Sequence, residues 1–178
     1  MEAIIELIFK KALAEPHYCE TYADIVFGLR SAFPEFQSSG DGKPMTFKSS
    51  VLSICQHEFE ELLRAPGPSE DEQARLDPEQ LECQRQERRK RMRANMRFIG
   101  HLFLRQLLSA RVIGSVLCEL TLVERPDTLP EEHAIECACE LLNATGFTLE
   151  SLPAGHAALA AVCGRLQALS HAKAGPGW

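Results

Sequence analysis

Residues 88–108 constrain the fold more than any other stretch. They read Arg-Arg-Lys-Arg-Met-Arg-Ala-Asn-Met-Arg-Phe-Ile-Gly-His-Leu-Phe-Leu-Arg-Gln-Leu-Leu, a dense cationic run that passes without a breaker into an apolar pattern. Met92, Met96, Ile99, Phe103 and Leu107 recur at three- and four-residue spacing, which places them on one face of a helix. Such a helix needs neighbours around its second half and water around its first. Gly100 lies inside the pattern, where glycine costs about 1 kcal/mol relative to alanine. A helix accepts that cost most readily where another backbone comes close.

The remaining segments carry the same period. Residues 2–15 place Ile5, Ile8, Phe9 and Ala12 on one side, and Pro16 ends the helix by pushing its predecessor out of the α region. A second helix follows at once with Tyr18, Tyr22, Val26, Leu29 and Phe33, so the two form an antiparallel hairpin. Thr46 is a suitable N-cap for a third helix through Phe47, Val51, Ile54, Cys55, Phe59 and Leu62. Asp77 at the N-cap and Pro78 at the first helical position open a fourth, expected to run to about Leu108. Ser109 breaks it, and a fifth helix turns Val112, Val116, Leu117 and Leu120 inward. A sixth opens at Pro130, buries Ala134, Ile135, Ala138, Leu141 and Leu142, and is expected to stop at Gly146. Pro153 opens a seventh with Leu159, Val162, Leu166 and Leu169. No segment alternates with period two. The chain therefore reads as all-α, about seven helices in HEAT-type stacked antiparallel pairs (an α-solenoid), with successive pairs of roughly 40 residues. It reads as a single helical-repeat domain over residues 1–171, with mobile loops at 34–45 and 65–76 and a disordered tail at 172–178.

Charge and cysteine usage narrow the function classes. The net charge of −6 argues against a generally nucleic-acid-coating protein. The exception is local: Arg85, Arg88, Arg89, Lys90, Arg91, Arg93 and Arg97 form the one basic patch suited to RNA phosphates. The plain alternative, a solvated helix face, is the one composition favours. No aromatic residues interleave the cations, which argues against sequence-specific readout. With no run of 18 apolar residues and no leader pattern, the reading is cytoplasmic, with no membrane partner. The seven cysteines are expected to be buried, reduced thiols. The sequon Asn143-Ala-Thr145 carries no weight in such a compartment.

Reaction chemistry finds no support. His133, Cys137 and Cys139 are the one metal-like cluster, but Cys139 points about 200° away from Cys137 on a helix of 3.6 residues per turn. Core thiols are the better reading, so no metal is expected. Neither His57 beside Glu58 nor His101 near Arg105 has a nucleophile or oxyanion site in view. Gly40-Asp-Gly-Lys43 lacks phosphate-loop spacing. No enzyme and no cofactor are expected.

Four strings, taken in order, then suggest a family. Leu7-Ile-Phe-Lys-Lys-Ala12 with Glu15-Pro16-x-Tyr18 and Tyr22-Ala23 comes first, followed by Phe47-Lys48 with Cys55-Gln56-x-Glu58-Phe59-Glu60. Asn95-Met-x-Phe98-Ile99-Gly100-x-Leu102-Phe103 is the third, and Ile135-Glu136-Cys137-x-Cys139-x-Leu141-Leu142 with Thr145-Gly146 the fourth. Together they resemble the middle, HEAT-repeat domain of eukaryotic translation initiation factor 4-gamma. The resemblance implies a scaffold that binds the DEAD-box RNA helicase of the initiation complex (initiation factor 4A type) and touches mRNA. It also implies one further helix before this stretch and further helix pairs after its seventh helix. The candidate helicase-binding residues are Glu15, Pro16, Tyr18, Phe47 and Lys48; Tyr18 and Phe47 are the exposed anchors, while Tyr22 and Phe98 fit packing between helices. The candidate RNA-binding residues are Arg88, Arg89, Lys90, Arg91, Arg93 and Arg97. The tyrosine-to-leucine motif that recruits the cap-binding subunit is absent, since Tyr18 leads to Ala23 and Tyr22 to Phe27. Two alternatives remain: a related helical domain of a nuclear cap-binding, splicing or mRNA-decay factor, and a non-specific RNA-binding module built on the basic run.

Overall fold

A computed structural model describes residues 2–32, 46–64 and 77–171. Among them are seven α-helices: α1 (Glu2–Ala14), α2 (Cys19–Leu29), α3 (Phe47–Arg64), α4 (Pro78–Leu104), α5 (Ala110–Thr121), α6 (Glu132–Glu150) and α7 (Pro153–His171). Short 3-10 turns at Pro16–Tyr18 and Arg30–Ala32 flank α2. The all-α expectation holds, with no strand among the described residues. Phe33, the expected loops at 34–45 and 65–76 and the tail at 172–178 fall outside them. The chain divides into two compact units, Met1–Leu107 and Leu108–Trp178.

In the first unit α1 packs on α2, α3 and α4, while α4 also receives α2 and α3. The core is made by Ile5, Phe9 and Ala12, by Cys19, Ala23 and Val26, by Val51, Cys55 and Phe59, and by Met92, Met96, Phe98, Ile99 and Leu102. Phe9 and Phe98 meet edge to face with ring centroids 4.7 Å apart, a geometry worth about 0.5–1.5 kcal/mol beyond area burial. The two halves of α4 behave as the sequence implied. From Met92 onward it is largely buried, Gly100 included, while residues 82–87 and 89–91 are exposed. Asn95 lies fully buried in that second half with neither amide atom partnered.

Several boundaries differ from expectation, each for a local reason. α4 stops at Leu104 rather than near Leu108, because Gln106 turns left-handed at φ 60°. The Gln106 amide then donates to Phe103 O at 2.8 Å and the Leu107 amide to Leu102 O at 3.0 Å, a Schellman-type ending. Leu107 still reaches the core, through the turn instead of the helix. α2 buries Cys19, Ala23 and Val26 rather than Tyr18, which is left outside. Thr46 caps α3 as expected: its Oγ1 accepts from the Ser49 amide at 3.2 Å, and Ser49 Oγ accepts from the Thr46 amide at 2.9 Å. Asp77 occupies the N-cap of α4, but its side chain makes no capping bond.

In the second unit α5, α6 and α7 pack mutually around Ile113, Leu117, Leu120, Ala138, Leu141, Leu149 and Val162. Ser109 caps α5 by accepting from the Val112 amide at 3.4 Å. α6 does not stop at Gly146; it continues one turn to Glu150 and buries Leu149. A mid-helix glycine costs about 1 kcal/mol, less than the roughly 1.5–3 kcal/mol gained by burying a leucine. α5 and α7 touch through small residues, so close that a Cβ on Gly114 would sit 2.7 Å from that of Ala158.

Candidate functional site

The α1–α2 joint is the best-defined piece of surface in the first unit. Pro16 opens a 3-10 turn whose Tyr18 amide donates to Glu15 O at 2.9 Å. Across the turn, the Tyr22 hydroxyl donates to Glu15 Oε2 at 2.6 Å, and Lys11 Nζ lies 3.4 Å from Glu15 Oε1. The Tyr22 hydrogen bond holds the Glu15 carboxyl below its ordinary value and raises the Tyr22 phenol. Beneath them Cys19 is buried, its thiol donating to Ala12 O at 3.4 Å, and burial pushes its pKa up to about 11. This fixed base presents Tyr18, 51 % exposed, with its ring 4.2 Å from that of His17. Glu15, Pro16 and Tyr18 thus belong to one rigid turn. Phe47 (half-buried) and Lys48 (exposed) lie on a separate element, the Thr46-capped first turn of α3.

The basic run on α4 is not a uniform cationic surface. Arg88 is half-buried and donates from Nη2 to Leu62 O at 3.1 Å, satisfying a carbonyl in the last turn of α3. Arg91 Nη2 pairs with Glu58 at 3.3 Å and Lys90 with Glu87 at 3.1 Å. Arg89, Arg93 and Arg97 are exposed. Arg88 and Arg91 thus reach α3, Arg91 with its side chain still 53 % exposed.

Two arginine clusters went unnoticed in the sequence. Arg105, just past α4, places Nε 2.7 Å from Asp24 and Nη2 3.6 Å from Glu20 on α2, while Nη1 donates to His101 O at 3.2 Å. The Arg105 hydrogen bond holds Asp24 below its ordinary value, and burial does the same to His101, whose Nδ1 is buried without a partner. In the second unit Arg165 donates to three carbonyls, Thr121 O at 3.3 Å, Pro126 O at 2.9 Å and Thr128 O at 2.6 Å. Sequence signals for either were lacking, since the partners lie 81 and about 40 positions away.

The cysteines are more varied than expected. Cys19, Cys55 and Cys137 are buried and Cys118 is half-buried, but Cys83, Cys139 and Cys163 are exposed. Cys137 and Cys139 thus lie on opposite sides of α6, and His133 Nδ1 sits 3.1 Å from Glu131. Among the described residues no group of three His, Cys, Asp or Glu is arranged to hold a metal ion. No helix among them is long and apolar enough to cross a membrane.

The model of the MIF4G domain matches residues 1–170. The chain belongs to the MIF4G family. MIF4G domains of this kind are scaffolds rather than enzymes. The MIF4G chain is 34 % identical over 159 residues to eukaryotic translation initiation factor 4G of Arabidopsis thaliana, covering 84 % of this chain and 9 % of that protein. It is 29 % identical over 164 residues to human eukaryotic translation initiation factor 4 gamma 3, covering 84 % and 10 %. The chain therefore spans about a tenth of the length of these relatives. Among solved structures it resembles the MIF4G domain of Trypanosoma cruzi translation initiation factor EIF4G5, with TM-score 0.57 and 25 % identity over 96 % of this chain and 71 % of that one. The first string of the resemblance is the α1–α2 joint, and the third is the buried half of α4.

Proposed function

We propose that this MIF4G chain is a scaffold segment of a cytoplasmic translation initiation factor, and that it docks a DEAD-box RNA helicase of the initiation factor 4A type. The observation that carries the reading is Tyr18, a large aromatic held in solvent by a turn locked through Pro16 and the Glu15–Tyr22 bond. Ordering an anchor before binding removes entropy that would otherwise oppose association. Aromatic residues of this kind are enriched among the few that dominate interface energies. Phe47 and Lys48 would add a second contact from α3. Both compact units would serve as parts of one MIF4G domain, since the family match crosses from the first into the second. A scaffold changes helicase activity only by binding its two lobes better in one relative orientation. Kinship with initiation factors favours translation over nuclear cap-binding, splicing or decay complexes.

Calorimetric titration with the helicase tests this. Micromolar or tighter binding is expected, and Tyr18→Ala should weaken it at least tenfold, or about 1.4 kcal/mol. Binding unchanged by Tyr18→Ala and by Phe47→Ala would sink the docking site, and no binding at all would sink the partner.

A second reading rests on the exposed cations of α4. Arg89, Lys90, Arg93 and Arg97 would contact mRNA phosphates without reading sequence, adding affinity that falls with salt. Arg89→Glu with Arg93→Glu should abolish binding to a labelled RNA oligomer and leave helicase affinity intact. Retained RNA binding would reduce the run to a solvated face.

A further inference from the structure

The second unit carries a surface that none of these readings uses. Residues 122–131 join α5 to α6, and Arg165 of α7 fixes them through the carbonyls of Pro126 and Thr128 while also capping Thr121 O at the end of α5. The fixed loop displays Leu129, 56 % exposed, in a stretch where Glu124, Asp127 and Glu131 are exposed as well. Beside it, between α5 and α7, runs an open groove of about 390 Å³, within the roughly 300–1,000 Å³ typical of ligand clefts. Gly114, Ala154, Ala157 and Ala158 line it, and Glu124 of the loop forms part of its rim. Arg111 and Arg125 also reach the rim, the latter 3.6 Å from Glu119. Gly114 and Ala158 are already packed on each other, but Ala154 and Ala157 of α7 are small and exposed, so a helix laid along that side could approach closely.

A complementary face exists on the same chain. The outer side of α1 leaves Ile4 and Leu7 53 % and 61 % exposed. Ala3, Glu6, Lys10, Lys11 and Ala14 are exposed around them, at the three- and four-residue spacings that share one helix face. It is an apolar stripe whose C-terminal half is cationic, although Lys11 also lies 3.4 Å from Glu15. The loop and groove offer apolar surface with predominantly acidic loop residues. The two faces match in polarity, and the loop carboxylates oppose the lysines of α1, while the groove lining itself balances Arg111 and Arg125 with Glu119 and Glu124.

We propose that the outer face of α1 in one copy docks into the α5–α7 groove and against the Arg165-held loop of a second copy, so that the chain self-associates head to tail. The inference is independent of helicase or RNA binding. Because the two patches are different, the contact is heterologous, and a heterologous contact that does not close into a ring adds copies without limit. The faces are small, so association is weak, as for interfaces under about 1,200 Å². The charged part is screened in about 1 M salt, where the Debye length is about 3 Å.

Sedimentation of the full chain tests this. The weight-average mass of the wild type should climb above the 19.8 kDa monomer mass as concentration rises, and fall back in high salt. Leu7→Asp and Leu129→Asp should each be monomeric, with unchanged thermal midpoints because both side chains are exposed. An equimolar mixture of the two variants should form a 1:1 dimer and nothing larger, since each retains one intact face. A wild type that stays monomeric at millimolar concentration overturns the proposal. So does association that survives either variant, or a mixture that stays monomeric.

Discussion

The two compact units hold themselves together by opposite means. In the first, large side chains interlock: Phe9 against Phe98 at the centre, Met92 and Met96 beside them, and an arginine paired to carboxylates at the edge. In the second, α5 and α7 meet at Gly114 and Ala158, and the arginine at the edge grips carbonyl oxygens instead. Both cores bury large aliphatic side chains; the first unit is in addition sensitive to loss of its aromatic pair and edge charges, and the second to volume added where its helices meet through glycine. Different substitutions and conditions should loosen each one.

The largest expected effect is Phe98→Ala. It removes a fully buried ring and its edge-to-face partner contact, and should cost about 3–5 kcal/mol. Chemical denaturation measures this, and a loss under about 1 kcal/mol would mean that the joint collapses freely around the gap.

The converse substitution should hurt the second unit by a smaller amount. A Cβ on Gly155 would run into the backbone carbonyl of Leu149, which cannot swing aside as a side chain would. Gly155→Ala should therefore destabilise by about 1–3 kcal/mol, the usual range for overpacking. Were it neutral or stabilising, as an ordinary helical glycine replacement is, the picture of a backbone-tight second unit would fail.

The smallest effect separates the two arginines by pH. Asp24 is held below its ordinary pKa of 3.8 by Arg105, so its contribution is present above that value and is lost as pH falls through the lower folded one. Burial holds His101 below 6.5, so the folded state resists its protonation and stability also falls as pH drops from 6.5 toward that lower value. Both shifts weaken the first unit in acid. Arg165 meets carbonyls, which do not titrate. Hydrogen exchange, corrected for intrinsic rates, should show the α2 and α4 amides losing protection as pH is lowered before those of the 122–131 loop do. Asp24→Asn should remove the Asp24 share of that dependence and leave that of Glu15. Equal loss in both units would contradict the assignment.

Much of this was legible in the residues. Apolar spacing located all seven helices, and the motif strings pointed to the family. The charged and buried halves of α4 follow from residues 88–108 alone. The cap at Thr46 and the start at Pro153 were equally plain, because capping and proline chemistry are local. For the candidate site, Tyr18 was singled out as an exposed anchor, but its support was not: the Glu15–Tyr22 bond spans seven positions and forms only because the turn at Pro16 folds back. The basic run looked uniform in sequence and is not, since Arg88 and Arg91 are drawn to α3 by Leu62 O and Glu58, 26 and 33 positions away.

By itself, then, the sequence determined the helical period, the order of the helices, the family and the placement of charge along α4. Those properties depend on residues three or four positions apart, which any helix brings together. Tertiary structure alone decided that α6 runs past Gly146, that α4 ends at Leu104, which cysteines face water, and that Arg88, Arg91, Arg105 and Arg165 reach other elements. Each of those outcomes turns on burial or a partner far along the chain, where a gain of one to three kcal/mol overrides a local preference of about one.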